Sequence, residues 1–402
     1  MTRHFLPAAC SAESRLSHAW LPSDTLAGCR QALCSAPDNG LAARPGGAQI
    51  LTLQKQGLLL RHDCWEGAST RPALKSGSLL WMAGVNVTRF QPATFHLTGF
   101  PGLEPFHVWI SVPFCALYFA SILGNCAVLL VVRQGRHLHE PMYFFLCMLS
   151  LNDLGVSLST LPTVLALFCF GLSKVAFDAC LAQMFFIHSF SFMESGILLA
   201  MSFDRFVAIR HPLRYASTLT HPQIARIGAA IVLKSTAMLA PFPFLIKRLP
   251  FCGSNVLSHA YCLHPDMMRL ACADITVNNV YGLFVVLFTY GLDSTCIVLS
   301  YIMILKAVLN IASRQQRRKA LHTCVAHICA VLSFYVPIVA VSVLHRFGKG
   351  APPVVHVMMS NVYLFVPPLL NPIIYSVNTK EIRKGIRRML GCAGSWRLRA
   401  NG

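Results

Sequence analysis

The strongest constraint on this chain is a series of seven apolar runs, at 107–132, 141–168, 178–209, 223–246, 276–306, 320–345 and 354–377. A helix crosses a bilayer in about 20 residues, and every run is longer than that. Lipid offers the backbone no hydrogen bonds, so an open sheet cannot cross it, and barrel strands would be about half as long. The runs are therefore read as helices. The fold class is an all-α membrane protein: a seven-transmembrane helix bundle with a short amphipathic helix after the seventh. Composition agrees, since the chain is 55% hydrophobic and only 12% charged. A soluble domain of this size would need a surface with about 25% charged residues overall.

The formal net charge of +19 raises the question of a nucleic-acid partner. The positions of the cations exclude one. Of 34 Lys and Arg, eight precede Met82 and Lys234 lies inside an apolar run. Seven fall on one set of loops, while 18 fall on the other set and the C-terminal tail. That asymmetry is the positive-inside rule, which puts the basic loops and the C-terminus in the cytoplasm and the N-terminus outside. A nucleic-acid face would instead mix basic and aromatic residues on one soluble surface. The expected location is the plasma membrane, crossed several times.

Four regions follow. Residues 1–81 are rich in Ala, Gly, Ser, Pro and scattered Arg without periodicity, the composition of a disordered extension. Met82 opens a segment that reads as a fresh start, which makes 1–81 an upstream extension or else a regulatory tail. Residues 82–106 form an extracellular N-terminus, where Asn86-Val87-Thr88 is a glycosylation sequon. The seven-helix bundle spans 107–377, and 378–402 is a cytoplasmic amphipathic helix and tail. In the tail, Ile382, Ile386 and Met389-Leu390 recur at helical spacing between basic residues, which suits the surface of an anionic bilayer. Cys392 then stands either as a palmitoylation site or as an unmodified cysteine. Cysteines inside the runs, such as Cys126, Cys147 and Cys296, read as small hydrophobes. There is no CxxC pair, no HExxH and no set of metal ligands, so neither a resident cofactor nor an intramembrane enzyme is expected.

Ionisable groups inside a membrane are costly, so each is a functional candidate. Asp153 of the second run, with Asn125 of the first and Asn371 of the seventh, forms a candidate mid-bundle polar cluster. It would either hold a sodium ion or water and rearrange, or act as a static hydrogen-bonded plug. Glu194 and Asp293 are further acids, read as structural before ligand-contacting. Asp204-Arg205 closes the third run at its inner end, where an adjacent acid–base pair can lock an inactive bundle and later free Arg205 for a partner. A channel or transporter would show inverted repeats or rings of charge, which are absent from the sequence.

Several segments together resemble the odorant-receptor branch of the rhodopsin-like G-protein-coupled receptors. Gly124-Asn125 is similar to the first-helix motif, and Pro141-Met142-Tyr143-Phe144-Phe145-Leu146 to PMYFFL. Met201 to Ile209 resembles MAYDRYVAI, and His211-Pro212-Leu213-Arg214-Tyr215 follows. Ser300-Tyr301, the stretch Arg318-Lys319-Ala320 through Thr323-Cys324 to His327, and Asn371-Pro372-Ile373-Ile374-Tyr375 complete the set over about residues 86–390. The HLTGFPGLE start at 96–104 and His345-Arg346-Phe347 are similar to class I, the branch associated with carboxylic acids and other water-soluble odorants. Ser202 and Phe203 depart from the usual Ala-Tyr, and Leu321-His322 from Phe-Ser.

The resemblance implies a small odorant ligand, a heterotrimeric G protein of the stimulatory olfactory type, and a rise in cAMP. It implies disulfides Cys180–Cys262 and Cys252–Cys272, where spacing alone allows three connectivities. It places the ligand in the upper bundle, with His188, Phe192, Ile275, Val341 and Arg346 as candidate contacts. Arg346 would bind a carboxylate through its guanidinium fork, or else snorkel to headgroups or pair with Asp274. Tyr335, beside Pro337, would couple the cavity to movement of the sixth helix, and Tyr375 belongs with Asp204 and Arg205 to the activation machinery.

Overall fold

The structure is a computed structural model that describes residues 91–135, 138–348 and 350–389, with the Arg346 side chain also outside the description. The expectations for residues 1–81, Met82, Asn86 and Cys392 lie outside the described residues.

Among the described residues, seven helices are long and apolar enough to cross a membrane. They are α1 (His107–Gln134), α2 (Pro141–Phe170), α3 (Phe177–Arg210) and α4 (His221–Lys247), then α5 (Thr276–Leu309), α6 (Arg314–Phe347) and α7 (Pro353–Asn378). Thr379 is extended and separates α7 from a further helix, α8, at 380–389. The chain is an all-α seven-helix bundle. Large apolar side chains face outwards, Trp109 at 75% exposure and Phe119 at 69% among them, which is tenable only against lipid.

Local chemistry sets the helix ends. Pro141 starts α2 at the position where a missing N–H costs nothing, and Gly171 ends it at φ 66°, a left-handed conformation that favours glycine. α6 begins at Arg314 rather than at 320. Ser313 caps it by accepting from the Gln316 N–H, and the basic, helix-favouring residues that follow extend it beyond the apolar run. α5 carries a wide π turn at Leu287–Gly291, and α6 and α7 contain Pro337 and Pro367, Pro368 and Pro372. Hydropathy reports none of these irregularities.

α3 is the axis of the bundle: 67% of its most apolar window is buried, against 22% for α4. Close approach to it needs small residues. At Gly155 of α2, an added Cβ would lie 2.5 Å from the Phe190 ring of α3. After α7, α8 packs Ile382 fully out of solvent, with Ile386 and Met389 against the same core.

A small sheet closes one end of the bundle. β1 (Thr94–Leu97) pairs antiparallel with β2 (Lys174–Ala176) and parallel with β3 (Val256–Leu257). Phe95 of β1 is fully buried and stacks on Phe177, centroid to centroid 5.5 Å, with Phe251 edge-on at 5.7 Å. Strands of two to four residues are too short to show a period in sequence. At this end the loop between α4 and α5 is joined to the top of α3 by the Cys180–Cys262 disulfide and to itself by Cys252–Cys272.

Replacement of Gly155 by Val should overpack the α2–α3 contact and destabilise the solubilised protein by about 1–3 kcal/mol. A thermal unfolding assay reads this as a lower midpoint. Phe190→Leu in the Gly155→Val background should recover part of the loss; a double variant no more stable than the single would disprove this packing account.

Candidate functional site

Beneath the disulfide-held loop lies a cavity of about 330 Å³ between α3, α4, α5, α6 and α7. His188 and Phe192 reach it from α3, Ile275 from the start of α5 and Val341 from α6, so four of the five expected ligand contacts meet in one space. The fifth, Arg346, has its side chain outside the described residues. Asp274 accepts from the Thr276 N–H at 2.9 Å and the Thr276 hydroxyl at 2.5 Å. Those two bonds hold its carboxyl below the usual range.

The lid is built from the same loop. Gln183 of α3 accepts from the Cys262 N–H at 2.9 Å, and its amide donates to Ser159 O on α2 at 2.9 Å. His259 is buried between Asp266 and Ser360, bonded to the first through Nδ1 and to the second, on α7, through Nε2 at 3.1 Å. The short helix His264–Arg269 thus lies over the cavity, and both of its end residues line it. Burial, with His188 nearby, pushes His264 down to about 3, so its imidazole is neutral.

The lining is mostly apolar but contains stranded polar atoms. His188 Nε2, His264 Nε2 and both amide atoms of Asn278 are buried without a hydrogen-bond partner. Asn278 is 1% exposed, and an unpartnered amide in such a setting costs several kcal/mol in the most apolar reference. Arg269 adds a cation at the rim, 3.5 Å from His345 Nδ1. The arrangement suits a small molecule with an apolar body and an oxygen-bearing head. Sequence reading missed His264, Arg269 and Asn278. The signal available for the first two was their place between Cys262 and Cys272, in a loop held over the bundle mouth.

Below the cavity, polar layers follow α3 away from the lid. Ser191 bonds the Tyr290 hydroxyl of α5 at 2.7 Å and the Tyr363 hydroxyl of α7 at 2.5 Å. One turn further, Ser195 donates to Asp293 of α5 at 2.9 Å and meets the Tyr335 hydroxyl of α6 at 2.8 Å. Asp293 also receives Lys234 of α4 at 2.9 Å, so two of the charged residues that the sequence left without partners are an ion pair.

The next layer joins Asp153 of α2, Glu194 of α3 and Asn371 of α7. The Asn371 amide donates to Asp153 Oδ2 at 3.1 Å and to Glu194 Oε1 at 3.3 Å. Asn125 is not bonded into this group: its amide donates to Ser121 O at 3.0 Å and to Pro368 O at 2.9 Å, tying α1 to α7.

At the basic end, Arg205 binds Asp204 at 2.9 Å through Nε and 2.5 Å through Nη2. Tyr215 donates to the other Asp204 oxygen at 2.7 Å. Burial, with Asp204 beside it, raises the Tyr215 phenol above its ordinary range. Phe203 is 42% exposed, and the Ser202 hydroxyl donates to Leu199 O. The hydroxyl absent from position 203 is therefore no part of this lock. Tyr375 and His327 line the same small recess as Asp204 and Arg205.

A sequence profile described as "Olfactory receptor" matches residues 114–392. Human olfactory receptor 51I1 is 66% identical over 305 residues, 76% of this chain and 97% of that protein. Human olfactory receptor 51I2 is 61% identical over 304 residues, 76% of this chain and 97% of that protein. In fold, squid rhodopsin superposes with a TM-score of 0.60 at 17% identity, covering 74% of this chain and 88% of that one.

If the stranded amide serves a ligand, Asn278→Leu should leave thermal stability unchanged or raised. It should weaken responses to oxygenated agonists about fivefold to tenfold, the worth of one hydrogen bond. Dose–response curves and melting curves on the same preparation give both readings. A variant that melts lower with unchanged potency would assign Asn278 to structure alone.

Proposed function

The chain belongs to the olfactory receptor family, a family of signalling receptors rather than enzymes, and on that premise we propose how this receptor takes its odorant and passes the signal on. The ligand is a small amphiphile with an oxygen-bearing head, carboxylic acids foremost. It sits in the cavity under the loop with its tail against Phe192, Ile275 and Val341. The observation that carries this reading is the set of stranded polar atoms on His188, His264 and Asn278 in an otherwise apolar space. Arg269 at the rim supplies one cation, and Arg346, one residue beyond cavity-lining His345, is assigned the second. An arginine fork grips a carboxylate at two points, so acids gain more than alcohols from it.

The lid end faces outside and the basic end the cytoplasm. The concentration of Lys and Arg on one set of loops supports this orientation. Agonist selects a bundle arrangement that it fits better, and it moves the equilibrium by its differential affinity alone. Tyr290 and Tyr363 form part of the cavity wall and share Ser191, so a ligand that moves either ring disturbs the first polar layer. Tyr335 carries the disturbance to α6, where Pro337 removes a backbone hydrogen bond and permits a pivot. Movement at the basic end then frees Arg205 from Asp204 for a G protein of the stimulatory olfactory type, and cAMP rises. Asp153 and Glu194 share one amide donor, an excess of negative charge that a sodium ion or a proton would offset as the layer rearranges.

Cells with verified surface receptor should raise cAMP in response to members of a panel of fatty acids, alcohols and esters. Arg346→Ala should weaken the acids about tenfold to a hundredfold, the worth of a charge-assisted bond, and spare the alcohols. Unchanged potency of every acid agonist would remove Arg346 from the site. No cAMP response to any compound, with receptor at the surface, would refute the coupling.

A further inference from the structure

A second cavity, of about 370 Å³, lies on the side of the bundle between α2, α3 and α4. It is separate from the cavity under the lid, with which it shares no lining residue. Its rim residues Leu151 and Val232 are 58% and 50% exposed, so it opens towards lipid. Ala225, Gly228 and Ala229 of α4 make one wall, and their small side chains leave the space open.

Among the described residues, the only polar side chain lining this cavity is Asn152 of α2. Asn152 is 4% exposed, and neither its Nδ2 nor its Oδ1 has a hydrogen-bond partner. Asn278 under the lid is the comparable case, an amide stranded in a cavity that takes a ligand; a wholly stranded amide in a membrane-facing cavity likewise needs an occupant. Water is a poor one, because the two amide atoms engage only one of its O–H groups and no other polar side chain lines the cavity to accept from the second. A carboxylate is a poor one too, because no cation lines the space. A single hydroxyl answers both amide atoms, accepting from Nδ2 and donating to Oδ1.

We propose that the groove between α2, α3 and α4 is a binding site for a lipid-dissolved alcohol, a compact hydrocarbon with one hydroxyl, held by Asn152. The occupant enters from the membrane rather than through the lid. It bridges α2 to α4 beside the polar layer formed by the next residue of α2, Asp153, and by Glu194, which follows the groove residue Met193 on α3. The site stands independently of the odorant cavity and of the coupling assigned above.

The test uses full-length receptor in membranes and two membrane-soluble photoprobes, a diazirine-bearing compact alicyclic alcohol and its counterpart with hydrogen in place of the hydroxyl. The alcohol should label groove residues such as Met148, Met193 and Val232 about tenfold more than the deoxy probe. Asn152→Leu should reduce alcohol labelling to the deoxy level while surface expression persists. Equal labelling by the two probes on the unaltered receptor overturns the proposal without need of any variant. So does labelling that survives Asn152→Leu. Receptor-to-receptor crosslinking through Val232→Cys that is indifferent to added alcohol also overturns it, because a second copy would then fill the groove.

Discussion

Inside lipid there is no water to satisfy a polar side chain, and that constraint decides how α3 is built. Gln183, Ser191, Glu194, Ser195 and Asp204 are all buried on this one helix. Four find their partners on other elements: α2 and the lid for Gln183, α5 and α7 for Ser191, α7 for Glu194, α5 and α6 for Ser195. Asp204 bonds its neighbour Arg205 and Tyr215 of the following loop. Helices α2, α5, α6 and α7 are thus tied to the polar groups of a central one, and apolar packing fills the space between. The result is a ladder of polar layers from the lid to the basic end, and a change at one rung cannot leave the next unpartnered without cost.

The Lys234–Asp293 pair is a charged rung in the middle of the ladder. Asp293 is buried, with its side chain 2% exposed, whereas the Lys234 side chain is 34% exposed, so the ammonium reaches towards the bundle surface as the carboxylate stays inside. A buried pair adds little over a well-packed apolar replacement, yet loss of one partner costs about 3–5 kcal/mol; the exposure of Lys234 places this pair at the lower end. The pair holds Asp293 in place for Ser195, and Ser195 holds Tyr335. Four helices therefore share one carboxylate and one serine, directly below the cavity floor. Such a node suits a receptor with two arrangements, because a single shared hydroxyl can exchange partners at small cost.

The sequence carries the helix count and approximate spans directly, since a bilayer demands long apolar runs and little else in a protein has that length. The lid cysteines and the Asp204-Arg205 pair were legible because short motifs fixed their position along the helices. Partner choice was not legible. Lys234 and Asp293 are 59 residues apart, and their meeting depends on the rotation of α4 and α5 about their axes. Asn125 shows the same limit: its depth matches Asp153 and Asn371, but its amide faces Pro368 O of α7. The cavity is half legible. His188, Phe192, Ile275 and Val341 follow from depth on their helices, whereas His264 and Arg269 depend on a loop path set by two disulfides and three short strands.

The central claim is that the polar layers along α3 act as one connected unit between cavity and basic end. A double-mutant cycle on Ser195→Ala and Tyr335→Phe, read as agonist-stimulated cAMP at matched surface expression, tests it most directly. The account predicts strong non-additivity, with the double variant little worse than either single and a coupling of at least about 0.5 kcal/mol. Additive losses across the cycle would mean that the two hydroxyls act separately and that the ladder is a packing feature rather than a route for the signal.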